Sequence, residues 1–96
     1  IAILFRPGRS TAAGAVHRVR IADFEYQPAR VVIQAGDRVE WHNQDFVPHT
    51  ATGSEGNWDT GNLEPDQRAS ISFSTSGEFA YFCAHHPTMV AIVVVK

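Results

Sequence analysis

Apolar and polar residues alternate with a period of two along most of the chain. Val19 and Ile21 are interleaved with Arg18, Arg20 and Ala22, Val39 and Trp41 with Arg38, Glu40 and His42, and Ala69, Ile71 and Phe73 with Ser70, Ser72 and Ser74. Phe79, Tyr81 and Cys83 share one face of a further run, and Phe24, Tyr26 and Pro28 lead into Val31-Val32-Ile33. A period of two is the mark of half-buried strands. Residues 90–95 are continuously apolar and mostly β-branched, which predicts an inner strand. Ala35-Gly36-Asp37 and Ser76-Gly77 supply turns, and residues 43–67, with Gly53, Gly56, Gly61, Pro48 and Pro65, read as a long polar loop. No window of helical period is longer than about two turns. The pattern predicts an all-β protein, a Greek-key β-sandwich of about seven or eight strands.

Residues 1–5 are apolar but are interrupted at once by Arg6-Pro7-Gly8-Arg9. That run is shorter than the roughly 7–15 apolar residues of a secretory leader's core. Residues 1–15 therefore read as an N-terminal extension, either an edge strand or a linker, and residues 16–96 as the domain.

Composition narrows the function classes. The chain has 96 residues, one domain's worth, and 44% of them are apolar, enough for a packed core. Eight Lys and Arg against ten Asp and Glu give a net charge of −2. That balance disfavours a nucleic-acid binder, which needs excess positive charge. No run approaches the roughly 18 apolar residues of a membrane span.

Cys83 is the chain's one cysteine, which excludes an intrachain disulfide and every single-chain multi-thiolate site. The segment around it reads Tyr81-Phe82-Cys83-Ala84-His85-His86-Pro87-Thr88-Met89, placing a thiol, an imidazole and a thioether three residues apart. His49 follows Pro48 far upstream. One thiolate, two imidazoles and one thioether form a mixed soft and borderline donor set. Zinc rarely takes a thioether, whereas Cys-His₂ with a weak axial Met is the set of a blue-copper electron-transfer centre. Taken singly, Cys83 and Met89 read as core filling and His49 as a loop histidine. It is their joint spacing that points to copper.

These residues resemble the cupredoxins, and most closely the amicyanin and plastocyanin-like group, through the loop pattern Cys-x₂-His-x₂-Met. Cys83, His86 and Met89 match that pattern, and Pro48-His49 matches the family's first histidine. Framework segments agree as well, among them Phe24-Glu25-Tyr26-Gln27-Pro28, Gly36-Asp37-Arg38-Val39-Glu40-Trp41 and Thr60-Gly61-Asn62-Leu63. The resemblance implies a type 1 copper protein that binds one Cu(I)/Cu(II) ion through His49, Cys83, His86 and Met89. It also implies single-electron transfer and not enzymatic turnover, and a periplasmic, extracytoplasmic location. Its partners would be transient redox proteins: a c-type cytochrome, a dehydrogenase, a reductase or an oxidase. His86 would be the ligand nearest solvent, ringed by Val47, Pro48, Ala84 and Pro87, and protonated in acid in the reduced state. Two departures stand out. Thr50 occupies the place where many members carry an Asn that ties the two ligand loops together, and His85 is an extra imidazole, read as lying outside the donor set.

Other functions fit these residues less well. A cupredoxin-like copper carrier or storage module would use the same fold, but the complete Cys-His₂-Met set favours electron transfer. Asp59-Thr60-Gly61 matches the aspartic-protease tripeptide, yet it sits in a polar loop instead of following an apolar strand. The glycines lack the Lys-Ser/Thr of a phosphate-binding loop. His17 and His42 read as solvated strand positions, Trp41 and Phe73 as core, and Trp58 as a cap over one end of the sandwich.

Overall fold

The structure is a computed structural model and describes residues 14–96. The expectation for residues 1–13, an edge strand or linker, lies outside the described residues. Eight strands follow in order: β1 (Val16–Ala22), β2 (Glu25–Gln27), β3 (Arg30–Ile33), β4 (Asp37–Asn43), β5 (Thr52–Gly53), β6 (Arg68–Phe73), β7 (Gly77–Phe82) and β8 (Val90–Val95). They form two four-stranded sheets, ordered β2-β1-β4-β6 and β3-β8-β7-β5. Both sheets are mixed: β1 runs parallel to β4 and β3 parallel to β8, and the other pairs are antiparallel. The β-sandwich read from alternation is the architecture observed. The continuous apolar run at 90–95 is an inner strand flanked on both sides, as predicted.

Alternation decides which side chains meet between the sheets. Val19, Ile21, Val39 and Trp41 from one sheet face Ile33, Tyr81 and Val93 from the other, and all are essentially inaccessible to solvent. Burying each such side chain contributes roughly 1.5–3 kcal/mol. Trp41 is central: its Nε1–H donates to the Tyr81 hydroxyl at 3.2 Å, so the one polar atom of the indole is satisfied inside the core. Burial of that hydroxyl pushes the Tyr81 pKa up. Trp58 stacks on Trp41 at 5.5 Å between centroids and meets Phe73 edge-on. The cap expected at Trp58 is thus a half-buried extension of the aromatic core.

The stretch 43–67 is more ordered than a loop reading allows. It contributes β5, and His49 pairs with Leu63 and Thr52 with Asp59 as isolated bridges. Ala51 and Leu63 are buried within it. Single apolar residues among turn formers carry no period, which is why the sequence pattern does not expose them. Asp59-Thr60-Gly61 is a surface turn here. The exposed Asp59 accepts hydrogen bonds from the Gly61 N–H and the Thr52 hydroxyl, and the Thr60 hydroxyl accepts from the Ala51 N–H.

His17 and His42 depart from the solvated reading. His17 Nε2 lies 2.9 Å from Asp37, and His42 Nε2 lies 2.8 Å from Asp66. His17 borrows its carboxylate from the first residue of β4 and His42 from the turn before β6, pairings that strand alternation cannot reveal.

Candidate metal centre

Two loops meet at one end of the sandwich. The first leaves β4 at Asn43, whose buried side-chain amide donates to the carbonyls of Val47 and Leu63 while its oxygen accepts from the Asp45 N–H. One asparagine thus fixes the turn that aims residues 45–49 back across the sandwich. The second loop joins β7 to β8. Its Cys83 carbonyl accepts from the His86 N–H, the His86 carbonyl accepts from the Met89 N–H, and the Cys83 N–H closes the loop on the Met89 carbonyl. Two successive tight turns, from 83 to 86 and from 86 to 89, account for the spacing of three.

The loops place a thiol and two imidazoles together. Cys83 Sγ lies 3.5 Å from His49 Nδ1 and 3.7 Å from His86 Nδ1. All three donor atoms fall within 4.8 Å of one another. With bonds of about 2.3 Å to sulfur and about 2.0 Å to nitrogen, a trigonal metal spaces its sulfur and nitrogen ligands roughly 3.7 Å apart. The donors are therefore already at the separation a small first-row ion requires. Their chemistry, one thiol and two imidazoles, fits copper.

Exposure grades the three. Cys83 and His49 are fully buried and His86 is half-buried, so its ring is the one nearest solvent. Met89 is buried and its backbone holds the loop closed. His85 is not brought to the donors. Its Nε2 meets Asn62 Oδ1 at 2.6 Å on the exposed surface.

Supporting contacts orient the donors. Thr50 ties the two loops together. Its hydroxyl accepts from the Ala84 N–H at 2.8 Å, and its backbone N–H points at Cys83 Sγ at 3.4 Å. Tyr26 donates from its hydroxyl to the Thr50 carbonyl, fixing the same residue from below. Burial raises the Tyr26 pKa, and the neighbouring Cys83 adds to it, so the phenol stays a donor.

Asp45 is the residue that motif reasoning missed. Its Oδ2 lies 2.8 Å from His49 Nε2, and its two oxygens also accept the backbone N–H groups of Asp23 and Phe24. Burial works to raise the Asp45 pKa, but the hydrogen bonds from Phe24, His49 and Asp23 outweigh it and hold the carboxyl below its ordinary range. An acceptor-only carboxylate puts the His49 proton on Nε2 and leaves Nδ1 free to ligate. The spacing Asp45-x₃-His49 was the signal available.

The same carboxylate holds the β1–β2 turn, where Asp23 and Phe24 both adopt positive φ (53° and 57°). That strained pair sets the Phe24 ring edge-on to His49 at 5.4 Å and to His86 at 5.0 Å, partly covering the donors.

Comparison with known proteins shows the chain's family and fold. A family model described as a cupredoxin-like domain matches residues 1–95. The chain is 34% identical over 83 residues to amicyanin-alpha of Methylorubrum extorquens, covering 81% of this chain and 70% of that protein. It is 31% identical over 83 residues to amicyanin of Paracoccus versutus, covering 81% of this chain and 63% of the relative. A solved structure of a novel purple cupredoxin from Nitrosopumilus maritimus superposes with a TM-score of 0.78 at 26% identity, over 83% of this chain and 99% of that one.

Proposed function

Because the chain belongs to the cupredoxin-like family, we propose that it is a mononuclear type 1 copper protein that carries single electrons between redox partners. Cys83, His49 and His86 would hold the copper as strong donors, and Met89 of the same loop would supply a weaker thioether donor. Copper supplies a one-electron couple that cycles between Cu(I) and Cu(II). The observation that carries the reading is the preformed triad, with Cys83 Sγ 3.5 and 3.7 Å from two imidazole nitrogens.

The chain's own residues do the rest. Asn43, Asp45 and Thr50 hold the loops and donor side chains in place, which would limit their movement when the bound metal changes oxidation state. Burial of Cys83 and His49 excludes water. The half-buried His86 ring is the exit toward a partner, beside Phe24, which is 51% exposed. Such an apolar margin suits brief, weak contact. The partner is a c-type cytochrome, a dehydrogenase, a reductase or an oxidase, and the site of action is extracytoplasmic, in the periplasm.

The carrier or storage alternative separates by kinetics. Fast reversible reduction with copper retained supports electron transfer, and ready surrender of Cu(I) to a chelator supports a carrier. Anaerobic titration with a Cu(I) chelator of graded strength, alongside cyclic voltammetry, distinguishes the two.

A further inference from the structure

The outer face of the β2-β1-β4-β6 sheet carries charge that neither the core nor the metal centre uses. Val19, Ile21, Val39 and Trp41 face inward, so Arg18, Arg20, Arg38, Glu40 and His42 face outward, joined by Arg68 of β6. Four of the chain's eight Lys and Arg residues occupy this one face of a protein whose net charge is −2. Register pairs Arg20 with His42 and His42 with Arg68. Three basic side chains therefore lie in one row across three strands, about 5 Å from neighbour to neighbour.

Arg20 and Arg68 flank His42 on the same face, two strands and about 10 Å apart. Internal compensation along the row is slight. Arg18 is paired with Glu40, but Arg20 reaches only the neutral Gln27 at 2.8 Å. His42 is held by Gln44 and by Asp66, whose own side chain is 92% exposed. Among the described residues, neither Arg20 nor Arg68 is within ion-pairing distance of a carboxylate. The row lines a groove of about 310 Å³, shared with Gln27 and Gln44. β4 runs from this row straight into the turn that carries Asp45 and Phe46, and the Phe46 side chain is 98% exposed. The basic groove thus borders the end of the sandwich where the donors sit.

We infer that the Arg20–His42–Arg68 row is a docking surface for a redox partner protein that presents a cluster of carboxylates beside its own electron-entry point. This inference rests on the electron-carrier reading for the word redox, but not for the groove itself. Arginine forks pair with carboxylates in bidentate fashion, and complementary charge raises the encounter rate and sets orientation more than it raises affinity. Phe46 and Phe24 would then meet the apolar centre of the partner's surface while the row seats its acidic rim.

The test titrates octaglutamate peptide into the full Cu(I)-loaded chain, reading backbone amides by NMR at ionic strengths of about 10 and 200 mM. Amides of Arg20, His42 and Arg68 should shift, and binding should weaken at least fivefold at the higher salt. The double variant Arg20→Gln/Arg68→Gln should bind at least tenfold more weakly, and Glu40→Gln should bind more tightly. Shifts absent, confined to the other sheet, or unchanged in the double variant overturn the inference. A DNA duplex or anionic vesicles binding the row more tightly than the peptide overturn the acidic-protein assignment. The absorption spectrum of the oxidised sample is read separately. An absent blue band with peptide binding intact defeats the electron-carrier reading and with it the partner's redox character. A normal band without peptide binding defeats the docking surface alone.

Discussion

Asp45 and His49 are joined across four residues by a 2.8 Å contact between Oδ2 and Nε2, and the same carboxylate pins the Asp23-Phe24 turn that packs on both imidazoles. One side chain therefore fixes the tautomer of a buried donor and the aromatic shield over the site. Asp45→Ala should weaken copper binding by about 10- to 100-fold, the range seen when the partner of a metal-bound histidine is removed. Asp45→Asn, which keeps one acceptor oxygen, should be milder. Chelator competition measures both, and parent-like affinity in Asp45→Ala would contradict the role given to this contact.

Thr50 bridges the two ligand loops through its hydroxyl. Thr50→Val keeps the shape but strands the Ala84 N–H, a loss of about 1–2 kcal/mol. Thr50→Ser should retain the bridge and lie near the parent. Denaturant unfolding of the copper-free protein reads the difference without interference from the metal. Equal stability of the two variants would show that the hydroxyl does not tether the loops.

Asp37, at the opposite end of β4, is a carboxyl that hydrogen bonds hold ionised in the folded state. Backbone N–H groups of Ala15 and Gln34 donate to it, followed by His17, and together they lower its pKa to about 2. A carboxyl depressed in the folded state contributes stability that is present above its unfolded pKa, near 4, and lost as pH falls through the folded value. The parent should therefore lose stability between about pH 5 and pH 2, and Asp37→Asn should show a flatter profile over that window. Thermal melts across the range measure the slope, and identical slopes would contradict the assignment.

Gly53 lies against the edge of Trp58. A Cβ at that position would stand 2.6 Å from Trp58 Nε1, so the indole must move and disturb its stack on Trp41. Gly53→Ala should cost about 1–3 kcal/mol, as overpacking does. Near-UV circular dichroism together with the melting temperature reports both effects. A parent-like spectrum and melting point would show that Trp58 is free to yield.

Much of this was legible in the sequence, for identifiable reasons. Alternation at Val19/Ile21, Val39/Trp41 and Ala69/Ile71/Phe73 exposed the strands because each sheet has one buried face. The spacing of Cys83, His86 and Met89 exposed the second loop because each residue begins or ends a tight turn. What stayed hidden depends on contacts between distant segments. Asp45, the Thr50 bridge and the His17 and His42 carboxylate pairs involve residues common on any surface. Their meaning arises only when segments distant in sequence meet: β1 with β4, Thr50 with the β7–β8 loop, and β4 with the turn before β6. Ala51 and Leu63 are single apolar residues among turn formers, with no period to reveal them.

The central claim is that Cys83, His49 and His86 form one copper site with thiolate bonding. Adding one equivalent of Cu(II) to the purified chain and recording its absorption and electron paramagnetic resonance spectra tests it most directly. An intense blue charge-transfer band with narrow copper hyperfine splitting is expected, both lost in Cys83→Ser. A colourless adduct with wide splitting, or a spectrum unaltered by Cys83→Ser, would contradict it.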